Sequence, residues 1–253
     1  MIKNAPVASA KLAKLSREST YVNYKICKPV VIYIFMIICI GVYFLDKKSG
    51  YMLSSWGMAN ADLIRAGETR RVLTCALLHS GIIHLVSNMI ILRWAGSYAE
   101  RYYGHKKTAI LILGTALTAG LASITFNASN SVGASGVVFG IMLSLFPIRY
   151  VMDPTEMRVL NACKTLIIIN AISGLLVANV DNFAHLGGAV AGYVLGKALA
   201  ANGEVFRNRD KKVFSAIYLG INLILCVLFF CGPDLTIEYN GIGTLISWFI
   251  KLN

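Results

Sequence analysis

Four polar side chains stand in long apolar stretches of the sequence and could together carry out nucleophilic catalysis: Ser135, His185, His84 and Asn88. Polar side chains inside hydrocarbon are costly, and by default they indicate a functional site. A serine hydroxyl is a weak nucleophile until a base accepts its proton, and His185 is the available imidazole. These residue types predict a serine-histidine pair that attacks a carbonyl group.

The negative oxygen formed in such an attack needs hydrogen-bond donors that are already in place. His84 and Asn88 are spaced i and i+4, so both side chains project from one face of a helix. The backbone N–H of Ser135 is a third candidate donor, because the serine opens its helix. No Asp or Glu within the apolar stretches is placed to orient His185, which favours a dyad over a triad.

The elements that must position these residues are helices that cross a membrane. The 253 residues are 57% apolar and only 14% charged, whereas an average soluble domain is about 25% charged. This argues against a disordered chain, a disulfide scaffold or an ordinary cytosolic enzyme, and the six cysteines are scattered without a C-x-x-C pair. A bilayer core of about 30 Å takes roughly 20 apolar residues to cross. Seven segments meet or approach that length: 29–45, 79–98, 108–126, 135–148, 159–178, 182–200 and 213–232.

The fourth span is the shortest, and its length predicts the depth of Ser135. A helix from Ser135 to Pro147 has about 13 residues and reaches roughly 20 Å, about 10 Å less than the bilayer core. The preceding loop, 127–134, must then enter the membrane, where non-helical backbone is tolerated only in protein or beside a wet cavity. We therefore expect Ser135 at the floor of a water-filled cavity, which would supply water for hydrolysis.

The charge pattern predicts how the spans are oriented. The chain has 24 Lys and Arg against 12 Asp and Glu, a net charge of +12. With a cytoplasmic N-terminus, 16 of the basic residues fall on the cytoplasmic side and 6 on the other, leaving Arg93 and Lys164 within spans. The positive-inside rule therefore favours a cytoplasmic N-terminus, an outer C-terminus and a cavity that opens to the outer side. Five of the six outer charges lie in one loop, 46–78.

Three motifs, in this order and in these spans, resemble those of the rhomboid family of intramembrane serine proteases. The second span has H-x-x-x-N, the fourth G-x-S-G-x-x-x-G, and the sixth A-H-x-x-G-x-x-x-G, and the resemblance extends over residues 29–200. The matching residues are His79, His84, Asn88, Gly133, Ser135, Gly136, Gly140, Ala184, His185, Gly188 and Gly192.

The resemblance implies Ser135 as the nucleophile and His185 as the general base. It also implies that the ring of Phe139 packs on the catalytic imidazole. The loop 46–78 resembles the family's first loop, which folds against the protein and is partly embedded in lipid, and this accounts for its positive charge. Oxyanion stabilisation is assigned by the resemblance to three donors: His84, Asn88 and the Ser135 backbone N–H.

One segment departs from the family pattern. The family's first loop commonly carries a Trp-Arg pair after Gly-Glu or Gly-Gln. Here the sequence after Gly67 and Glu68 keeps the arginine, Arg71, but has Arg70 where the tryptophan is expected. The departure affects the packing of the loop and leaves the dyad unchanged.

The predicted fold class is an all-α membrane protein, a polytopic helical bundle with a rhomboid-like six-helix core and a seventh C-terminal transmembrane helix. This arrangement resembles the bacterial six-plus-one type and implies a multi-pass protein of the bacterial plasma membrane. The predicted division is a basic cytoplasmic segment 1–28, a catalytic core 29–200, a basic linker 201–212, a seventh helix 213–232 and a short outer tail 233–253.

The predicted function is hydrolysis, without a cofactor, of peptide bonds in or near transmembrane segments of single-span or other membrane-protein substrates. The alternatives are a catalytically silent rhomboid-like binder or chaperone, or a small transporter. Inactive relatives typically lose the serine or the histidine, and this chain keeps both. A transporter more often shows paired intramembrane acids or two related halves.

Several of these residues also have purely structural interpretations. For His79, a structural role as a hydrogen-bond partner that stabilises a loop is at least as well supported as a catalytic role. Gly136 and Gly188 belong to series of small residues at four-residue spacing, which let two helices approach closely.

The histidines lack an acidic or thiolate partner, so no metal site is predicted. The basic N-terminus lacks the interleaved aromatic residues of a nucleic-acid surface and is expected to face anionic lipid. Nothing in the sequence requires an oligomer.

Overall fold

The computed structural model describes residues 27–177, 180–200 and 208–236. These residues form eleven α-helices, and the protein is a polytopic helical membrane protein. In chain order the helices are α1 (Val30–Lys48), α2 (Met52–Gly57), α3 (Ala61–Arg65), α4 (Arg71–Thr74), α5 (Ile82–Ile91), α6 (Ser97–Tyr103), α7 (His105–Phe126), α8 (Ser135–Ser144), α9 (Met157–Leu176), α10 (Asn182–Leu199) and α11 (Asn208–Cys231).

Parts of four predicted segments lie outside the described residues, one of them being residues 178–179 of the core, where the predicted fifth span ends. The other three are residues 1–26 of the basic N-terminal segment, 201–207 of the linker and 237–253 of the tail. Shorter helical pieces complete the described chain: a 3-10 turn at Cys75–Leu77, a π-helical stretch at Leu92–Gly96 that joins α5 to α6, and a 3-10 turn at Pro154–Glu156 before α9.

Each of the seven predicted spans corresponds to a helix or a bent pair of helices. Within the described ranges, four helices are long and apolar enough to cross a membrane: α1, α7, α9 with its preceding turn, and α11. A fifth span results if α4 and its 3-10 turn are joined to α5–α6 across a 90° bend. The other two, α8 and α10, have 10 and 18 residues and are packed mainly against other helices, so they present little surface to lipid.

Four predicted boundaries are wrong by more than three residues or for a local reason: the second span also continues to Tyr103 instead of residue 98, and the seventh helix begins at Asn208 instead of residue 213. The second span begins at Ile82, three residues later than predicted, because the backbone is extended at Leu78 and Gly81 and the chain bends by 90° between the two helical parts. The fourth helix ends at Ser144 instead of residue 148. Pro147 lacks an N–H group and disfavours a helical conformation in the residue before it. At 10 residues α8 is about 15 Å long, shorter than the sequence predicted.

The centre of the bundle is a direct contact between the backbones of α8 and α10. A Cβ atom added at Gly188 would overlap the carbonyl oxygen of Gly136, and one added at Gly192 would overlap the carbonyl oxygen of Gly140. Farther along, the Tyr103 hydroxyl donates to carbonyl oxygens of both helices. Glycines at four-residue spacing therefore bring the first turn of α8 against the first turns of α10.

The loop 46–78 folds on the bundle around a buried arginine. The Arg71 side chain, 4% exposed, donates to the carbonyl oxygens of Ser55 and Met58 and forms an ion pair with Glu68 at 2.8 Å. Arg70, which stands where the family commonly has tryptophan, places its guanidinium 4.3 Å from the ring centre of Trp56. The loop thus has a cation-π contact between Arg70 and Trp56, and the tryptophan of this contact comes from α2.

The pH dependence of this loop follows from Glu68. Hydrogen bonding by Arg71, with the charge of Arg70 nearby, holds the pKa of the Glu68 carboxyl below its ordinary value of 4.5. The contribution to stability is therefore present above the unfolded pKa and is lost as the pH falls through the lowered, folded value. We expect Glu68→Gln to lower the Tm slightly at neutral pH and to have no effect once the pH is below that value.

Thermal unfolding in detergent, at neutral pH and at a pH below the lowered pKa of Glu68, measures the difference in Tm between the variant and the wild type. Asp62→Asn, which neutralises an exposed acid in the same loop, is the matched control and should show a smaller change. A Tm difference for Glu68→Gln that persisted unchanged in acid would contradict the assignment.

The start of α1 is attached to the bundle by one buried carboxylate. The Glu100 side chain accepts hydrogen bonds from the backbone N–H groups of Val30, Val31 and Ile32 at 2.8 to 3.1 Å, and it pairs with His105. The first N–H groups of a helix have no partner within the helix and favour an anion. This carboxylate from α6 therefore fixes the position of a helix that is otherwise largely exposed on its outer face.

Candidate active site

Ser135 and His185 are within hydrogen-bond distance. The Oγ atom of Ser135, the first residue of α8, lies 2.9 Å from Nε2 of His185 in the first turn of α10. One turn farther along α8, the Phe139 ring stacks on the imidazole with 4.4 Å between ring centres and 11° between planes. The aromatic ring and the hydrogen bond together fix the orientation of the imidazole.

The second ring nitrogen of His185 has no carboxylate partner in the described ranges. Its Nδ1 atom is buried and makes no hydrogen bond with the residues that the structure describes. For Nε2 to accept a proton from Ser135, the neutral ring must carry its own proton on Nδ1. The geometry is that of a two-residue arrangement.

One acidic residue is nevertheless close, and the sequence reasoning missed it. Asp181 precedes α10 and accepts a hydrogen bond from the Ala184 N–H at 2.9 Å, while its other oxygen accepts the Ser123 hydroxyl at 2.5 Å. It therefore caps the helix that carries His185, attaches that helix to α7 and places a carboxylate one turn from the imidazole. Asp immediately before a helix is a common N-cap signal, and this pattern could have identified it.

The three predicted oxyanion donors are arranged around the same cavity. His84, Asn88 and Ser135 all line it. The Nδ2 group of Asn88 is buried and has no partner among the described residues, although an unsatisfied buried donor is costly. Nδ1 of His84 lies 3.2 Å from the Ser80 hydroxyl. A donor that is held in place and left unpaired suits an oxyanion that exists only during reaction.

Gly133 is required by both its conformation and its surroundings. Its φ of +138° lies in the region that side chains rarely adopt, and an added Cβ would stand 2.6 Å from Cε1 and 2.9 Å from Nε2 of His84. A larger residue would therefore displace the His84 ring from the cavity. Its role in this structure is to admit His84.

His79 takes a supporting place. Its side chain is buried, does not line the cavity, and packs edge-on against the His84 ring with 5.2 Å between ring centres. Neither ring nitrogen has a hydrogen-bond partner among the described residues. The contact that the structure shows for His79 is thus packing against His84, and its role as a loop-stabilising hydrogen-bond partner stays a prediction.

The cavity has a volume of about 510 Å³ and reaches from Ser135 to the non-helical loop 127–134. That loop is held by the folded segment 46–78: Ala59 and Ser131 exchange two backbone hydrogen bonds, and the Gly133 N–H donates to the carbonyl oxygen of Cys75. Such pairings between distant residues have no local sequence signal. Among the described residues, no group of three or more His, Cys, Asp or Glu side chains could hold a metal ion.

The contribution of Asn88 can be tested separately from the dyad. If its Nδ2 group donates to the oxyanion, Asn88→Ala should lower kcat by about 10²-fold to 10³-fold, the cost of losing one such donor. KM should change little, because the bond forms in the transition state. Initial rates of peptide-bond cleavage measure this, with Asn161→Ala, an exposed asparagine of α9, as control. An unchanged kcat would remove Asn88 from the assigned donors.

Known proteins resemble this chain over the same helices. The family model described as Rhomboid domain matches residues 66–202. Rhomboid protease GluP of Bacillus subtilis (strain 168) is 33% identical over 178 residues, covering 68% of this chain and 35% of that protein. RHOMBOID-like protein 4 of Arabidopsis thaliana is 31% identical over 185 residues, covering 68% and 47% respectively. Inactive RHOMBOID-like protein 8 of the same plant is 27% identical over 215 residues, covering 78% and 60%.

The chain thus spans between about a third and a half of the length of the first two of these relatives. The matched domain covers more than half of the 253 residues. It includes the helices that bring together Ser135, His185, His84 and Asn88, and the chain belongs to the rhomboid family.

Proposed function

We propose that this protein is an intramembrane serine endopeptidase that hydrolyses peptide bonds in or near transmembrane segments of membrane-protein substrates. The observation that carries the proposal is the 2.9 Å contact between Ser135 Oγ and His185 Nε2, beside a cavity that also holds an unpaired buried amide donor. Nucleophile, base and donor are the three parts that acyl transfer requires.

In the proposed reaction the Ser135 oxygen attacks the carbonyl carbon and His185 accepts the hydroxyl proton. The carbonyl oxygen becomes negative and is stabilised by His84, Asn88 and the Ser135 backbone N–H. When the C–N bond breaks, His185 returns the proton to the leaving amine, and an ester on Ser135 remains. A water molecule then attacks the ester, again with His185 as base, and releases the acid and the free serine.

The substrate must present an extended peptide bond, because a helical backbone shields its carbonyl groups. Small or helix-breaking residues near the cleaved bond would ease this unwinding. We propose single-span or other transmembrane proteins as substrates, in a bacterial plasma membrane, with the N-terminus cytoplasmic and the cavity open to the outer side. The positive charges of the connections support this orientation. We also propose that residues 29–200 form the catalytic core, with 213–232 as an added helix.

The proposal is tested with the purified full chain in liposomes that contain a fluorescently labelled single-span substrate. Cleavage at one site near the membrane surface, together with covalent labelling of Ser135 by a serine-directed fluorophosphonate, is the expected result. Peptide mass spectrometry identifies the labelled residue. A chain that neither cleaves a panel of such substrates nor reacts with the probe would overturn the proposal.

A second candidate is a catalytically silent rhomboid-like binder. It is favoured by one comparison, since a relative that aligns with 78% of this chain is named as inactive. The same binding cavity would then retain a transmembrane segment without cutting it. Co-purification of an uncut substrate, with no fluorophosphonate reaction at Ser135, would identify this function.

A further inference from the structure

The helix α11 is attached to the core by polar contacts in mid-helix. The Thr118 hydroxyl of α7 donates to the Asn222 side-chain oxygen at 3.0 Å, and the Tyr218 hydroxyl donates to the Gly114 carbonyl oxygen at 3.0 Å. Polar side chains in a spanning helix are expensive unless they are paired. These two contacts therefore fix both the rotation and the height of α11 against α7.

One face of α11 packs against α10 and α7, and near its C-terminal end the same face reaches the folded loop 46–78, where Arg65 contacts Phe229. Phe229, which is 3% exposed, and Leu225 belong to one buried cluster with residues of α7 and with Ile64, Val72 and Cys75 of that loop. The Arg65 guanidinium at the end of α3 lies 4.6 Å from the ring centre of Phe229. We refer to Ile64, Val72, Cys75, Leu225 and Phe229 as the brace cluster. The opposite face of α11 is exposed, with Leu223 at 65%.

The brace cluster is connected to the backbone that leads into Ser135. The carbonyl oxygen of Cys75, a member of the cluster, accepts the Gly133 N–H at 2.9 Å. Ala59, which is buried with these residues, precedes α3 and pairs with Ser131 through hydrogen bonds of 2.9 and 3.0 Å. Both contacts are made to the loop 127–134. The last residues of this loop include Gly133, which leaves room for the His84 ring, and they lead directly into the first residue of α8.

We propose that α11 is a positioning element for the reaction: through the brace cluster it holds the loop 127–134, and with it the Ser135 amide and the His84 ring, in the reactive arrangement. The inference rests on the proposed proteolytic function for its catalytic readout. Between helices in a bilayer the stabilising interaction is van der Waals packing and not the hydrophobic effect. Truncating the Phe229 ring therefore loosens the loop even though lipid can fill the space behind it.

The test uses the full chain in liposomes with Phe229→Ala. We expect kcat to fall about tenfold while KM stays within about twofold, because misplaced groups slow the chemical step without preventing binding. Amide hydrogen exchange should become faster in residues 59–60 and 127–134 and remain unchanged at the far end of α8, near Ser144. Leu223→Ala, the same kind of truncation on the exposed face of α11, is the matched control and should change none of these.

A milder variant keeps the test decisive if Phe229→Ala does not fold. Phe229→Leu retains apolar volume and should restore most of kcat if packing acts, whereas it should behave like alanine if the Arg65 contact dominates. Unchanged exchange in 127–134 together with unchanged kcat would overturn the inference, as would faster exchange throughout the chain. Exchange needs no activity, so an inactive wild-type chain would refute the proposed function and still leave this inference testable.

Discussion

Replacing Ser135 or His185 by alanine is expected to reduce cleavage of a single-span substrate by about a thousandfold or more. Without Ser135 there is no oxygen to form the ester. Without His185 the hydroxyl proton loses its acceptor, since Nε2 of this histidine lies 2.9 Å from the Ser135 oxygen and no other side chain in the described part of the protein bonds to that oxygen. The two residues act as a unit, so the double variant should be no slower than either single variant.

Initial rates in liposomes measure this prediction, with protein stability followed in parallel. Ser55→Ala, an exposed serine in the loop 46–78, and His105→Gln, at the opposite end of α7 from the cavity, are the matched controls and should keep wild-type rates. The Tm of the Ser135→Ala protein should be close to that of the wild type. Cleavage that continued within tenfold of the wild-type rate in both alanine variants would show that another nucleophile acts.

The second large effect is expected at Gly188, where an added methyl group would separate α8 from α10. Its Cβ would overlap the carbonyl oxygen and carbonyl carbon of Gly136, and backbone atoms of a helix cannot turn aside as a side chain can. Overpacking of this kind costs about 3 kcal/mol. Gly188→Ala should therefore lower the free energy of unfolding by about that amount and also abolish cleavage, since His185 lies one turn before it and would move with α10.

Denaturant or thermal unfolding in detergent, together with fluorophosphonate labelling of Ser135, measures both effects. Gly220→Ala is the matched control, because this glycine lies inside α11 with no heavy atom within 4 Å of an added Cβ. It should be neutral or stabilising, since alanine is the better helix former by about 1 kcal/mol. A Gly188→Ala protein with wild-type stability and labelling would contradict the direct backbone contact.

Much of the fold could be predicted from the sequence because a bilayer imposes a simple length rule. Apolar runs predicted α1, α7 and α10 to within three residues at either end. The bend before α5 could not be predicted in this way, because Leu78 continues the apolar pattern while the backbone is extended. The attachment of α1 could not be predicted either, since its partner, Glu100, is some 70 residues away and lies in a short polar stretch.

The reactive residues of the candidate site could be predicted from the sequence, but most of the contacts that hold them in position could not. Ser135 and His185 stand out because the surrounding sequence is apolar, and a hydroxyl and an imidazole there need a partner. The contacts that position them join residues far apart in the sequence, such as Ala59 and Ser131, and no local sequence pattern predicts such pairs. Asp181 lies between these cases: its position as a cap is visible in the sequence, but its bond to Ser123 depends on how α7 and α10 pack.

The glycine contact between α8 and α10 also has an entropic consequence. A glycine has no side-chain rotamers to immobilise, so bringing Gly136, Gly140, Gly188 and Gly192 together loses almost no conformational freedom beyond that already lost when each helix formed. Larger side chains at this contact would each have to settle into one rotamer, and their remaining fluctuations would vary the separation of the helices. With backbone against backbone, the separation of α8 and α10 is set by the van der Waals contact of their main chains, and the spacing of Ser135 and His185 should therefore depend little on temperature or on the fluidity of the surrounding lipid.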